Sequence, residues 1–230
     1  MSCKRAGEPL AGLFASDAKD IVSGEYPVLT GRHVRLEPLE RRHIPGLVAA
    51  AGQDLALYQW SAVPQGLPAM AQYVDTALAW HAARTALAFA TVRLADGAVI
   101  GSSRFFDIER WAWPAGHAGA ARGGPDGCEI GYTWLSATAI RTAANTEAKL
   151  LMLSHAFEVW GVQRVCFHTD ARNERSRAAL TRLGATFEGI LRAHRLAADL
   201  KPRDSARFSI IAAEWPQLKR GLTGKLKPAA

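Results

Sequence analysis

The chain is short of cysteine. Only Cys3, Cys128 and Cys166 occur in 230 residues, none in a C-x-x-C pair, and three cannot all pair within the chain. A disulfide scaffold and a structural zinc of ordinary spacing are both excluded, and a reducing compartment, the cytoplasm, is expected. The seven histidines are scattered with no H-E-x-x-H arrangement, so no metal site is expected. No apolar run approaches the ~20 residues of a membrane span. The apolar patch at 10–14 is interrupted upstream by Glu8 and Pro9, which reads as a loose extension and not a signal peptide. There is no P-loop, no G-x-G-x-x-G and no internal repeat.

Acid is also scarce. Lys plus Arg number 28 against 21 Asp plus Glu, a net charge of +7 and a pI near 9.7. Such a field favours anionic partners, whether nucleic acid, a membrane surface or a small phosphorylated ligand. The basic residues are spread out, however, and not interleaved with aromatics, which argues against a nucleic-acid surface. A polyamine acceptor would want an acidic cleft, and this composition gives no sign of one.

What is present is a mixed α/β pattern. The order is strand (32–39), helices (40–51 and 68–84), a two-strand hairpin turning at "ADG", a strand (128–135), then a helix whose Leu150, Leu153, Phe157 and Trp160 share one face. A strand (163–169), a helix ending at Gly184 and two final strands turning near 199–203 follow. The crossover from 128–135 to 163–169 predicts a parallel pair. Residues 108–127 have no usable period and carry Trp111 and Trp113, which predicts a long, partly ordered flap. One domain over 25–222 accounts for the pattern, with an N-terminal extension (1–24) and a basic tail (223–230).

The helix beginning in "AIRTAANTEAKLL" (139–151) opens with unusually small residues. The first N–H groups of a helix lack partners and its dipole adds positive character, which together favour an anion. Ala143 and Ala144 leave the amides accessible, Thr142, Asn145 and Thr146 add short polar groups, and Arg141 adds a charge. The stretch reads equally as Thr142 capping a helix of good formers.

The segments "CEIGYTWLSATAIRTAANTEAKLLMLSHAFE", "TDARNERSRAALTRLGATFEGILR" and "RDSARFSIIAAEWPQLK" resemble the GNAT superfamily of acetyl-CoA-dependent N-acetyltransferases, in particular its RimJ/RimL branch. The likeness runs from about Tyr26 to Leu222. It implies the GNAT fold, an α/β (α+β) architecture whose mixed sheet contains a splayed parallel pair flanked by helices. It also implies acetyl-CoA as co-substrate and a primary amine, on a protein N-terminus or a small molecule, as acceptor. The segment 140–145 aligns with the family's Q/R-x-x-G-x-G/A pattern, with Ile140, Ala143 and Asn145 departing from it at the three specified positions, and its amides would hold the pyrophosphate. Trp134 and Leu135 would line the pantetheine arm, and Asn173 would hydrogen-bond the cofactor or simply cap its helix.

The resemblance further implies Glu129 as the base that accepts the amine's proton, or else a strand-end carboxylate paired with an arginine. Ser176 would serve the thioester sulfur, since the tyrosine other members use is Leu180 here. Some ribosomal-protein enzymes carry a second glutamate where this chain has Arg195, beside His194. The acceptor would enter past Trp60, Trp111 and Trp113, or these indoles pack on the core. The expected assembly is a monomer or homodimer. The alternative to the enzyme is a CoA-binding sensor or interaction module that has lost catalysis.

Overall fold

The computed structural model describes residues 26–197 and 199–227. The expected extension at 1–24, with Cys3, lies outside the described residues. Eight strands form one sheet in the order β1-β2-β3-β4-β5-β6-β8-β7: Leu29–Thr30, Val34–Pro38, Leu87–Arg93, Val99–Glu109, Gly127–Leu135, Arg164–Asp170, Thr186–Leu196 and Pro202–Ile211 for β1 to β8. All neighbours are antiparallel except β5 and β6, the parallel pair expected from the crossover. Helices α1 (Ile44–Ala51) and α2 (Gly66–Ala82) lie on one face. Helices α3 (Ala143–Ser154), α4 (Glu174–Leu183) and α5 (Trp215–Lys225) cover the other.

Each face has its own core. Leu47 of α1 and Met70, Val74 and Ala77 of α2 pack on Ala88, Ala90 and Trp134. Met152 and Leu153 of α3, Leu180 of α4 and Trp215 and Leu222 of α5 pack on Phe89, Phe105, Ile130, Val165 and Phe167. Alternation sends neighbouring strand residues to opposite cores, as Phe105 and Arg104 show.

The structure departs from the sequence reading in four places. The helix of the small-residue stretch starts at Ala143 behind its Thr142 cap and stops at Gly161 (φ 69) as expected, but its last turn, His155–Trp160, is π-helical. Strand β4 runs on to Glu109, so the long loop starts later than expected. The short strand β1 is an addition. Helix α5 is another, and it carries through the expected boundary at 222 to Lys225.

Candidate active site

Strands β5 and β6 pair only from Gly127 with Arg164 to Glu129 with Cys166. Both strands continue beyond those residues, to Leu135 and Asp170, but no longer bond to each other. The β4–β5 register also shifts between Ser102 and Arg104, and Tyr132 stands at φ 50. A non-glycine residue in the left-handed region carries strain, so this kink is specified by its surroundings. It turns the end of β5 away from β6 and frees one backbone edge for an extended ligand.

Helix α3 begins at the C-terminal end of β5. Thr142 caps it, its hydroxyl accepting from the N–H of Ala144 (3.2 Å) and donating to the carbonyl of Ala139 (2.7 Å). That hydroxyl is therefore committed, and the anion-holding capacity rests with the other first-turn amides and with Arg141, which is exposed at φ 57. Thr142, Ala143 and Ala144 border a cavity of about 340 Å³ shared with Arg32, Arg93 and Ile100. Asn145 and Thr146 are half-buried on the next turn.

The rest of "NTEAK" holds this helix in place. Glu147 accepts the backbone N–H groups of Arg32 (2.8 Å), His33 (2.6 Å) and Val34 (2.8 Å), locking α3 to the β1–β2 turn. A side chain at Gly31 would collide with that carboxylate. Lys149 points into the sheet, donating to Thr133 (2.6 Å) and Ser103 (3.2 Å), and burial pushes its pKa down to about 7.

Across the opening, Asn173 caps α4, its Oδ1 accepting the N–H of Ser176 at 3.0 Å. Asn173 is buried, and among the described residues the Ser176 hydroxyl has no hydrogen-bond partner. The segment 55–60 straps the opening. Tyr58 donates to the carbonyl of Leu135 (3.0 Å), Arg175 donates to the carbonyl of Leu57, and Trp60 lies under the Arg172 guanidinium (4.2 Å). Trp134 is buried against Tyr58, ring centroids 6.0 Å apart.

Glu129 is the last residue of β5 to pair with β6, and it is buried at 4% exposure. Its Oε2 lies 2.8 Å from Nδ1 of His168 and 3.2 Å from Nη2 of Arg195, which also meets Asp107 at 2.9 Å. The His168 ring is close enough for an ion pair, yet its N–H is not aimed along that line, and neither ring nitrogen makes a hydrogen bond. The His194 ring lies 4.9 Å from it, tilted by 45°. Burial, then the neighbouring His168 and Arg195, holds His194 below the ordinary imidazole value.

Residues 33–186 match the family description Acetyltransferase (GNAT) domain, two-thirds of the chain. The chain belongs to the GNAT acetyltransferases. A GCN5-related N-acetyltransferase from Brucella melitensis is similar at 30% identity and a TM-score of 0.76, with 90% of this chain and 88% of that one covered. A putative acetyltransferase from T. thermophilus is 32% identical with a TM-score of 0.71, covering 89% and 100%. Mycobacterium smegmatis RimJ in complex with CoA-disulfide, at 21% identity and a TM-score of 0.68 over 86% and 91%, shares the fold. No curated protein sequence matches.

As a GNAT enzyme, the protein is an acetyl-CoA-dependent N-acetyltransferase. The residues present suit that co-substrate: an α3 start with no large side chain, a bordering cavity and a free β5 edge. Among the described residues no helix is long and apolar enough to cross a membrane.

The indoles divide. Trp60 belongs to the strap over the opening. Trp111 and Trp113 belong to a loop knitted around Asp126, which accepts the Trp111 N–H (2.8 Å) and the Trp113 indole N–H (2.9 Å) and pairs with Arg122. Trp113 stacks on His117 at 4.5 Å, whereas Trp111 remains 43% exposed. The loop is rooted at the start of β5, away from the end where the strands part.

Sequence reasoning missed His168 and Arg104 in this region, and named His194 only as the neighbour of Arg195. In the sequence each is a lone polar residue in a strand. Their one shared signal is period: His168 and Cys166, or Arg104 and Phe106, alternate away from the apolar face.

Proposed function

We propose that this GNAT enzyme acetylates a primary amine, on a protein or peptide N-terminus or a small molecule, by direct attack within a ternary complex, in the manner of the RimJ/RimL branch. Acetyl-CoA supplies the activated acetyl group. The amides at the start of α3, with Arg141, would hold its pyrophosphate, and the free edge of β5 up to Trp134 and Leu135 would take its extended arm. Asn173 and Ser176 at the start of α4 would face the sulfur, with Ser176 offering a proton to the departing thiolate.

The observation that carries the reading is the buried Glu129–His168 pair at the point where β5 and β6 part. An amine attacks only when neutral, so an ammonium must give up one proton before attack and the nitrogen sheds a second as the new N–C bond forms. The Glu129 carboxylate is an acceptor for that proton, with the His168 ring packed beside it. An α-amine, with a pKa of about 7.7–8.0, asks less of such a base than a lysine near 10.4. Arg195 keeps Glu129 in place and, with Asp107, closes that side of the cleft.

The test is release of free thiol from acetyl-CoA, with mass spectrometry of the acceptor. A peptide with a free α-amine is compared with one blocked there and carrying a lysine. Acetylation of the first, faster than the second, is expected. Acetyl-CoA binding with no amine acetylated would overturn the proposal.

A further inference from the structure

Arg104 is the largest wholly enclosed side chain among the described residues, at 1% exposure. It lies on β4 opposite Gly131 of β5, two residues along from the pairing of Phe106 with Glu129. Its guanidinium carbon sits 4.1 Å from the ring centre of Tyr132, 4.7 Å from Tyr73 and 5.1 Å from Trp80. The rings cover the faces of the cation and leave its in-plane N–H donors unused. Nε and Nη2 are shut off without a partner, and Arg104 makes no hydrogen bond or ion pair among the described residues. Buried donors without acceptors are rare, and a buried charge without a counter-charge is strongly unfavourable.

Among the described residues no carboxylate pairs with Arg104, and the nearby Glu129 and Asp107 are both paired with Arg195. Tyr73 and Tyr132 are phenols, and burial raises Tyr132 above its ordinary value. Arg203, whose Nε is also unpartnered, adds positive charge near Glu129 and Tyr132. Of the three rings over Arg104, Tyr132 is the one 42% exposed, in contact with Phe106 at 5.1 Å and held at φ 50.

We infer that the acceptor carries a carboxylate as well as its amine, and that Arg104 binds the carboxylate once Tyr132 turns aside. The inference rests on the acceptor cleft proposed above. Two residues of strand put the amine end, at Glu129, and the carboxylate end, at Arg104, about 7 Å apart. The acceptor is then an amine whose carboxylate lies several bonds away, and a plain alkylamine or a polyamine lacks the second anchor.

The test is calorimetry on CoA-saturated protein with 5-aminopentanoate and with pentylamine, in the wild type and in Arg104→Met. The wild type is expected to bind 5-aminopentanoate at least about tenfold tighter, as a charge-assisted bidentate pair would give. Arg104→Met is expected to erase the preference and to melt no lower than the wild type, because methionine fills the aromatic box without a stranded charge. Arg104→Lys keeps the charge without the fork and should retain part of the preference. Equal binding of the two probes, no binding of 5-aminopentanoate, or a preference that survives Arg104→Met overturns the inference. A drop in melting temperature with the preference intact would make Arg104 a structural strut. Acetylation in the same samples separates the two proposals. Carboxylate preference without any product sinks the amine-transfer reading alone, and equal acetylation of both probes sinks this one alone.

Discussion

The Glu147 carboxylate lies 2.8 Å from the backbone N–H of Val34, and the same group takes the N–H groups of Arg32 and His33. One buried side chain on α3 thereby satisfies three consecutive donors of the β1–β2 turn and fixes the helix start beside β5. Each buried donor left unsatisfied costs about 1–3 kcal/mol. Only the Val34 donor is buried, so Glu147→Ala is expected to destabilise the fold by roughly 1–3 kcal/mol. Denaturant unfolding checks this, and a loss below about 1 kcal/mol would show that water replaces the carboxylate.

Lys149 sets a pH dependence of stability. Its folded pKa, about 7, lies below the ordinary lysine value because burial penalises the ammonium. Between the folded and the ordinary value the unfolded chain holds a proton that the folded chain has lost. Stability then rises with pH across that window, by at most about 1.4 kcal/mol per unit from this group. Below pH 7 the cost of burying the charge is fully present. Lys149→Met is expected to flatten the rise and to melt higher than the wild type at about pH 6. Parallel melting curves from about pH 6 to 10 for both proteins would contradict the assignment.

Asn173 separates helix capping from cofactor binding. Its Oδ1 is spent on the N–H of Ser176, so the proposed contact with acetyl-CoA falls to the amide Nδ2. Asn173→Asp keeps the cap and loses the donor, so it should melt within a degree or two of the wild type while binding acetyl-CoA more weakly. Asn173→Ala should lose about 1 kcal/mol of stability as well. Calorimetric titration beside thermal melting checks both, and undiminished binding by the Asp variant would confine Asn173 to its cap.

The fold was legible where periodicity and punctuation agree. Gly161 and Gly184 end their helices at φ 69 and φ 98, and the long crossover made β5 and β6 parallel. Helix α5 was hidden because Gly221 and Gly224 lower its propensity, although Trp215, Leu218 and Leu222 are spaced as one apolar face. The site was legible only in part. The small residues after Arg141 mark a helix start that a ligand can approach, but sequence alone does not show that Thr142 uses up its own hydroxyl. The meeting of Glu129 with His168 and Arg195 depends on where three strands stop pairing or shift register, and no local pattern encodes that. Trp111 and Trp113 look like cleft residues in a glycine-rich stretch, yet Asp126 draws both into the loop's own packing.

The most direct test of the account is the turnover number of Glu129→Gln at saturating acetyl-CoA and amine. Glutamine keeps the size and the contact with Arg195 but cannot take a proton. A fall of about 10²–10⁴-fold with acetyl-CoA affinity unchanged is expected. A variant that turns over within about twofold of the wild type would contradict it, and Glu129 would then be only the buried counter-charge of Arg195.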